Sequence, residues 1–228
     1  GPGPCTIRAG PEQVMRPTRI RRVAGQRGQG RRRMIVEQTS LPGVLLLTPA
    51  RFGDARGFFS ESWNRRTLAG HGIRTEFVQD NHSLSERVGT VRGLHFQAPP
   101  HAQAKLVRCG RGRLFDVAVD IRRGSPTYGR WTGVELSHAN GRQLLIPEGF
   151  AHGFVTRAPE TEIIYKCSAH YAPEADGALR WDSCGIDWGL ESPPLLSQKD
   201  ADAPGLAEFT SPFVARQAQD PRRVEVAQ

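Results

Sequence analysis

The sequence predicts a mainly β protein that folds as a single domain. Short apolar runs alternate with turn residues, and the 228-residue chain contains 17 Pro and 25 Gly, which favour turns between strands over long helices. No stretch shows the apolar periodicity of a four-turn amphipathic helix. A chain of this length can bury a sizeable core, as single-domain all-β barrels do.

The first 33 residues differ from the rest and are predicted to be a basic, disordered extension before a single domain over residues 34–228. They hold nine Arg and one Glu, few apolar residues and many Gly and Pro, a composition that does not offset the entropy of ordering. This stretch carries the whole formal net charge of +8, and the remainder has 22 basic and 22 acidic residues. The predicted domain therefore lacks the basic excess of a nucleic-acid-binding surface. The extension itself is either an addition unrelated to the fold or a polyanion-binding tail.

The first buried strand is predicted at Val44–Leu47, a run of apolar residues. The stretch RFGDARGFFSE follows it and places a Gly-containing turn before Phe58 and Phe59. A short helix is expected from Asn64 to His71, with its end near Gly72.

The stretch from Phe77 to Ile121 contains the residues around which a site is predicted. Arg92, His95, Lys105 and Asp116 interrupt its alternating apolar sequence, and such groups sit badly in a core unless they face a pocket. Arg92 and His95 are three residues apart, a spacing that a regular strand sends to opposite faces. A bulge at Gly93 would bring both side chains to one face.

A turn at Cys109–Gly112 is expected to lead into a strand whose residues alternate strictly. Its apolar residues end at Ile121 and occupy one face, so the other face carries Asp116 and Asp120. A solvated outer face is the simplest interpretation of that pattern. The neighbouring His, Lys and Arg residues favour a lined cavity instead.

Further strands are predicted in the second half of the chain. They are expected around Trp131–Leu136, at Gln143–Ile146 after an Asn140–Gly141 hairpin turn, after His152 and its flanking glycines, and at Thr161–Cys167. In the last of these, Ile163, Tyr165 and Cys167 share a face. The Pro-containing segment around Leu196–Asp200 is expected to fold back across the barrel.

The cysteines and the hydropathy pattern limit the possible classes of protein. Four Cys, at positions 5, 109, 167 and 184, lack zinc-site spacing and the density of a disulfide scaffold, so reduced thiols are expected. No apolar run approaches the roughly 20 residues that span a bilayer, and the Arg-rich start lacks the apolar core of a secretory signal. We therefore expect a cytoplasmic protein without membrane association.

The candidate chemistry is acid–base catalysis without a metal ion. Seven His are present, but the His-x-His pattern of metal-binding barrels is missing at His95, which precedes Phe96 and Gln97. Neither a nucleophile elbow nor a Gly-rich phosphate loop is found. The remaining His, Lys, Tyr and carboxylates suit proton abstraction beside a carbonyl, although each residue alone could equally serve a structural role.

A series of motifs runs from about Met34 to about Pro204: FGDARGFF, FVQDNHS, RGLHFQ, AKLVRC, FDVAVDIR, SPTYGRW, IPEGFAHGF, IIYKCSAHY and LSQKDADAP. In order and spacing these motifs resemble those of the dTDP-4-dehydrorhamnose 3,5-epimerase family. The resemblance implies a cupin-type jelly-roll barrel with a few short peripheral helices. It also implies a homodimer that acts on dTDP-4-dehydro-6-deoxyglucose, with no metal and no organic cofactor.

The resemblance also implies roles for individual residues. His95 matches the catalytic base, Asp200 the carboxylate that orients it, Tyr165 the proton donor and Lys105 the cation beside the developing oxyanion. Tyr171 matches the residue that stacks on the thymine. The other residues at substrate-binding positions are Arg56, Glu61, Gln79, Asp80, Asn81, Arg92, His152, Asp176 and Lys199.

Three positions depart from the family pattern. His170 stands where a second Tyr is frequent, Asp176 replaces a nucleotide-contacting Glu, and Gly189 follows Trp188 where Pro is usual. The first two affect the nucleotide end of the site. Two alternatives stay open: an epimerase that inverts only C3 or only C5, and a nucleotide-sugar binding protein without activity.

Overall fold

The computed structural model describes residues 21–22 and 33–215, and the strands account for most of the regular structure in them. The first seven strands are β1 (Arg21–Arg22), β2 (Ile35–Gln38), β3 (Leu45–Thr48), β4 (Phe52–Asp54), β5 (Gly57–Phe59), β6 (Gln79–Ser85) and β7 (Val91–Gln97). The others are β8 (Lys105–Arg111), β9 (Arg113–Asp120), β10 (Trp131–Ser137), β11 (Gln143–Ile146), β12 (Phe150–Thr156), β13 (Thr161–Cys167) and β14 (Asp176–Ala178). The helices are α1 (Arg65–Gly70), α2 (Gln198–Ala201) and a 3₁₀ turn at Pro173–Ala175. The prediction of an all-β class with a few short helices is confirmed.

The strands form two large antiparallel sheets and one small hairpin. The seven-stranded sheet has the order β1-β2-β3-β11-β8-β13-β6, and the five-stranded sheet has the order β10-β9-β12-β7-β14. Within the described chain, strands β4 and β5 form a separate two-stranded hairpin around the Gly-containing turn that the sequence predicts. Consecutive strands often belong to different large sheets, so the chain crosses repeatedly between the two layers.

The main core lies between the two large sheets. Leu46, Val107 and Ile163 of the seven-stranded sheet pack with Leu114 and Phe154 of the five-stranded sheet in one buried cluster. Burial of side chains of this size contributes about 1.5–3 kcal/mol each. The two sheets are thereby held face to face, as in a jelly roll.

Each sheet also buries part of its outer face. Helix α1 covers the seven-stranded sheet through Leu68, which packs near Leu106, and the Asn64 side chain caps it by accepting from the backbone N–H groups of Arg66 and Thr67. The outer face of the five-stranded sheet is covered by the C-terminal part of the described chain through Trp188 and Phe213. The helix predicted near Asn64 is confirmed, and the five-stranded sheet buries apolar residues on both of its faces.

The carboxylate face of β9 points into the protein. Asp116 and Asp120 are each 0% exposed, so the interpretation of a solvated face is wrong. Asp120 accepts hydrogen bonds from Arg122, Ser125 and Thr127, which satisfy it within its own loop. Asp116 lies toward the candidate site described below.

Two predicted turns connect different sheets. Strand β10 pairs with β9, whereas β11 pairs with β3 and β8, so the Asn140–Gly141 hairpin prediction is wrong. The turn is present, and the Asn140 amide holds it by accepting from the backbone N–H of Ser137 and Arg142. Likewise β8 runs through Arg111 and leaves only Gly112 as the turn into β9. The turns predicted from local sequence are present, but the local sequence does not determine which strands pair.

The basic stretch is described at three residues only. Arg21 and Arg22 form β1 and pair with Gln38 and Glu37 at the edge of the seven-stranded sheet, whereas the sequence predicts disorder for the whole stretch. Apart from these two residues and Arg33, the stretch lies outside the described residues, as does Cys5. Within the described ranges, no helix is long and apolar enough to cross a membrane.

Candidate active site

A bulge in β7 brings Arg92 and His95 to the same face of the sheet, as the sequence predicts. His152 pairs with His95 and Phe154 pairs with Arg92, so between these pairs one residue of β12, Gly153, opposes two residues of β7, Gly93 and Leu94. Gly93 has φ of +119°, and a Cβ there would lie 2.6 Å from the Gly153 Cα and the His152 carbonyl oxygen. Only glycine fits this close approach of two strands.

The side chain of His95 forms a hydrogen bond to Asp200 across 105 positions of sequence. The His95 Nε2 lies 2.5 Å from the Asp200 Oδ1, and the second carboxylate oxygen accepts from the backbone N–H of Gly93 at 3.4 Å. Asp200 is on α2, which Ser197 caps at its N-terminus. The expected fold-back of this segment is confirmed, and it places a buried carboxylate behind a partly exposed imidazole.

The charge state of Asp200 follows from these contacts. Burial would raise its pKa, but the hydrogen bond and charge of His95 outweigh that effect, and the pKa lies below its ordinary value. An ionised Asp200 accepts a hydrogen bond from the His95 Nε2–H, and this leaves the His95 Nδ1 as the free acceptor atom. This is the state that a histidine general base requires.

Lys105 and Tyr165 line the same cleft from the opposite sheet. They lie on β8 and β13, and the Lys105 Nζ is 6.0 Å from the centre of the Tyr165 ring. Burial lowers the pKa of Lys105 and raises that of Tyr165. At neutral pH the phenol therefore keeps its proton and remains available as a donor.

The cleft between these walls has a volume of about 190 Å³. Tyr171, Asp176 and Lys199 form a connected group at its rim. The Tyr171 hydroxyl donates to the Asp176 Oδ2 at 3.3 Å, and the Lys199 ammonium forms an ion pair with the same oxygen. The full lining is Gln79, Asn81, His95, Phe96, Gln97, Gln103, Lys105, Tyr165, Tyr171, Asp176 and Lys199.

His152 lies beneath the cleft in a buried pair with Asp116. Its Nε2 is 2.8 Å from the Asp116 Oδ1, and burial lowers the pKa of His152 despite the attraction of that carboxylate. Among the residues that the structure describes, the other oxygen of Asp116 is buried without a hydrogen-bond partner, which typically costs about 1–3 kcal/mol. His152 supports the strand that carries His95 and does not line the cleft.

The consecutive residues Gln79, Asp80 and Asn81 do not share a face. Gln79 and Asn81 line the cleft, whereas Asp80 forms an ion pair with Lys166 at 2.9 Å in a separate cavity on the outer side of the sheet. Side chains alternate along a strand, so the middle residue points away. Within a single chain, the structure does not bring Asp80 to the predicted site.

Arg56, Glu61 and Arg92 also lie outside the lining of the cleft in a single chain. Arg56 pairs with Asp54 in the exposed β4–β5 hairpin, and Glu61 accepts from Asn64 and Thr67 at the start of α1. Arg92 faces the same side as His95, but its guanidinium donates to the Ser85 hydroxyl and the Leu84 carbonyl. The other predicted site residues are the ones that the structure gathers around the cleft.

Sequence reasoning did not single out Gln97, Gln103 or Phe96. Gln97 follows His95 by two positions on β7, so strand alternation could have identified it as a cleft residue. Gln103 lies in the loop before β8, and no periodic signal marks it. The partnership of Asp116 with His152 likewise depends on strand pairing that the sequence does not specify.

No metal centre is evident in the part of the chain that the structure describes. Among those residues, no group of three or more His, Cys, Asp or Glu side chains is placed to hold an ion. Cys109, Cys167 and Cys184 are free, as predicted. Burial raises the pKa of Cys109 to about 11, so its thiol stays protonated at neutral pH.

The fold and the cleft define a jelly-roll protein equipped for acid–base chemistry. The family model described as dTDP-4-dehydrorhamnose 3,5-epimerase matches residues 38–208, and the chain belongs to this family. It is 53% identical over 176 residues to the dTDP-4-dehydrorhamnose 3,5-epimerase of Salmonella typhimurium, which covers 76% of this chain and 96% of that protein.

Two solved structures show the same fold. The dTDP-6-deoxy-D-glucose-3,5-epimerase of Legionella pneumophila, in complex with dTDP-4-keto-L-rhamnose, has a TM-score of 0.77 and 42% identity, with 81% of this chain and 100% of that chain covered. The dTDP-4-dehydrorhamnose 3,5-epimerase of Bacillus anthracis, with TDP and pyrophosphate bound, has a TM-score of 0.74 and 46% identity and covers 76% and 99%. The prediction of a cupin-type jelly roll is confirmed.

Proposed function

We propose that the protein is an isomerase that inverts C3 and C5 of dTDP-4-dehydro-6-deoxyglucose. Besides family membership, one structural observation supports this proposal. The candidate base, His95, and the candidate proton donor, Tyr165, belong to opposite sheets and face one cleft. A sugar held between them would be deprotonated on one face and reprotonated on the other, which inverts the carbon.

The first step is proton abstraction beside the 4-keto group. The His95 Nδ1 takes the proton from C3 or C5 because the carbonyl acidifies the hydrogens on both neighbouring carbons. The electron pair moves into the carbonyl and forms an enolate, and Asp200 stabilises the resulting imidazolium. The ammonium of Lys105 lies in the cleft and stabilises the enolate oxygen.

Reprotonation completes the inversion. The Tyr165 hydroxyl donates its proton to the same carbon from the opposite side, and the carbonyl re-forms. The phenol then regains a proton from solvent, and the imidazolium loses one. Each step uses a side chain of this protein, and the proposal involves neither a metal ion nor an organic cofactor.

The nucleotide is proposed to extend beyond the cleft. A volume of about 190 Å³ is below the roughly 300–1,000 Å³ typical of ligand pockets, which suits the sugar alone. Lys199 at the rim is suited to a phosphate, and the exposed ring of Tyr171 to stacking on the base. Binding of a phosphate by Lys199 would require its ion pair with Asp176 to open or to be shared.

A homodimer is the proposed assembly. Phe52, Phe58 and Phe59 of the β4–β5 hairpin are 50%, 48% and 70% exposed, an apolar patch of the kind that interfaces cover. Arg56 lies at the tip of this hairpin and Glu61 just after it, away from the cleft of their own chain. A second copy is the partner that could bring these two residues to a cleft.

Proton NMR in deuterated water tests the function. With dTDP-4-dehydro-6-deoxyglucose, the protein is expected to introduce deuterium at both C3 and C5 and to invert both carbons. His95→Asn should slow both exchanges by about 10²- to 10⁴-fold, while His82→Asn, which changes an exposed histidine paired with Glu162, should not. Exchange at one carbon only would indicate a single-site epimerase, and binding without exchange would indicate a binding protein.

A further inference from the structure

We propose that Gln97 is a positioning residue that fixes the backbone of residues 170–172 and thereby sets the ring of Tyr171 at the rim of the cleft. The role given to Tyr171 rests on the proposed function. The contacts of Gln97 itself do not depend on that function, and they can be tested separately.

Every donor of the Gln97 side chain is used within the protein. This residue is 4% exposed, and its Nε2 donates to the carbonyl oxygens of His101 and His170, the latter at 3.0 Å. Its Oε1 accepts from the backbone N–H of Ala172 at 2.9 Å. A carboxamide has two N–H donors, so none is left for a ligand. Gln97 therefore lines the cleft without being free to donate to a substrate.

A second glutamine holds the same segment from the other sheet. The Oε1 of Gln79, on β6, accepts from the backbone N–H of Tyr171 at 2.8 Å, and its Nε2 donates to the Asn81 Oδ1. Three successive residues are thus held by two side chains, one from each wall of the barrel. The segment bridges the two sheets at the mouth of the cleft.

The ring of Tyr171 is not fixed by packing. Tyr171 is 57% exposed, and the hydroxyl contact with Asp176 is the one hydrogen bond that its side chain makes within the described residues. The direction of an exposed ring is set mainly by its backbone. Loss of the Gln97 amide would let residues 170–172 move and would reduce the preorganisation of the stacking surface.

Gln97 also links the two ends of the site. It lies on the same face of β7 as His95, two positions further on, so the proposed base and the anchor of the stacking ring share one strand. The distance between the reacting sugar and the stacked base is thereby fixed by the geometry of a strand. A defect at Gln97 should accordingly weaken nucleotide binding and spare the chemical step.

The test compares Gln97→Met with wild type. Methionine keeps the length of the side chain but has no amide, so backbone amide hydrogen exchange at residues 170–172 should speed up about tenfold. The Kd for dTDP should rise about tenfold and KM should rise with it, while kcat stays within about threefold. Gln143→Met is the matched control, because Gln143 is 2% exposed and donates to the Ser62 carbonyl at 2.7 Å, away from this segment.

A double-mutant cycle separates positioning from general destabilisation. If Gln97 acts through Tyr171, Gln97→Met should weaken dTDP binding little further in a Tyr171→Ala background. An additive effect there, or unchanged exchange at residues 170–172, would overturn the proposal. Should the methionine variant fail to fold, Gln97→Glu replaces it, because its carboxylate keeps the acceptor for Ala172 but faces the two carbonyls with oxygen.

The proposed function and the positioning role of Gln97 can be refuted independently of each other. If wild type neither binds dTDP nor exchanges the sugar protons, the epimerase proposal fails. Faster exchange at residues 170–172 in Gln97→Met would still support the positioning role, because that measurement needs no ligand. If wild type turns over and the variant matches it in exchange and in Kd, the positioning role is the part that is wrong.

Discussion

The Asp200 Oδ1 lies 2.5 Å from the His95 Nε2, and this contact joins a four-residue helix to β7, the strand next to the edge strand β14 of the five-stranded sheet. Asp200→Asn is expected to lower kcat by roughly 10³- to 10⁴-fold, because an amide can donate to Nε2 and favour the wrong tautomer. Solvent deuterium exchange at C3 and C5 would measure the loss. Asp202→Asn, at the C-terminal cap of the same helix, is the control, since the Asp202 carboxylate accepts only from Gln198 in the described contacts. Near-normal turnover in Asp200→Asn would mean that this carboxylate does not orient the base.

The loss of kcat/KM at alkaline pH, the alkaline limb of the pH profile, should reflect deprotonation of Lys105. Burial lowers its pKa from the ordinary 10.5, whereas burial raises that of Tyr165 above 10. As the pH rises, Lys105 therefore loses its charge at a lower pH than a free lysine does. The decline of kcat/KM should accordingly begin before the pH reaches 10.5. In Lys105→Arg the charge persists, so the limb should move to higher pH whatever the absolute rate. Lys166→Arg, on the outer side of the sheet, serves as the comparison, and identical limbs in all three proteins would contradict this assignment.

Stability should fall on mild acidification because of His152. Its folded-state pKa is lowered by burial, so the unfolded chain binds more protons once the pH drops below about 6.5. Stability from this residue is therefore present at pH 7 and lost toward pH 5. Thermal melting from pH 5 to 8 should show a smaller slope in the Asp116→Asn, His152→Gln double variant, which keeps a hydrogen-bonding pair without the titrating ring. An unchanged slope would remove His152 as the cause.

The β4–β5 hairpin should control assembly. Phe59→Ser removes the most exposed aromatic side chain of the apolar patch, and loss of its burial at an interface should weaken the dimer by about tenfold or more. Sedimentation velocity across a range of protein concentrations would measure this. Val214→Ser, which alters another exposed apolar residue (65%), should have no effect. Turnover per chain should fall with dissociation if a second copy supplies Arg56 and Glu61, and a monomeric wild type would contradict the proposed assembly.

Deletion of residues 1–33 should leave the fold and the turnover intact. In the described structure, β1 of this stretch pairs with β2 at two residue positions on the edge of the sheet. Because the deletion removes so short a pairing, the melting temperature should change by only a few degrees. The formal net charge should move from +8 to zero, and any salt-sensitive binding to polyanions should be lost. A large fall in melting temperature or in turnover would mean that the extension belongs to the folded unit.

The local features of the fold were predictable from periodicity and turn chemistry. The bulge at Gly93 follows from the odd spacing of Arg92 and His95, and the strand at Thr161–Cys167 follows from its alternation. The partner of each strand was not predictable in this way. The turn at Asn140 predicts a hairpin, but β10 pairs with β9 and β11 pairs with β3 and β8. Leu136 of β10 and Leu144 of β11 enter the same core cluster from opposite sheets.

Motif matching predicted the residues that meet around the cleft, but it could not show which way each side chain points. His95, Lys105, Tyr165 and Asp200 meet in space although they are distant in sequence, and the family resemblance brings them together where composition alone could not. Asp80 lies away from the cleft of its own chain, where it pairs with Lys166, because side chains alternate along β6 and motif matching does not take this alternation into account. Gln97 is the complementary case, since its role depends on contacts with a loop more than 70 residues away.

The separation of His95 from Asp200 has a consequence for biosynthesis. During synthesis the chain leaves the ribosome from its N-terminus, and the strands that carry His95, Lys105 and Tyr165 emerge well before α2 does. Contacts between distant positions form only after both partners are available. A nascent or prematurely terminated chain could thus assemble the barrel walls yet lack the carboxylate behind the imidazole. The complete His95–Asp200 pair would then exist only in molecules whose C-terminal segment has been made and has docked.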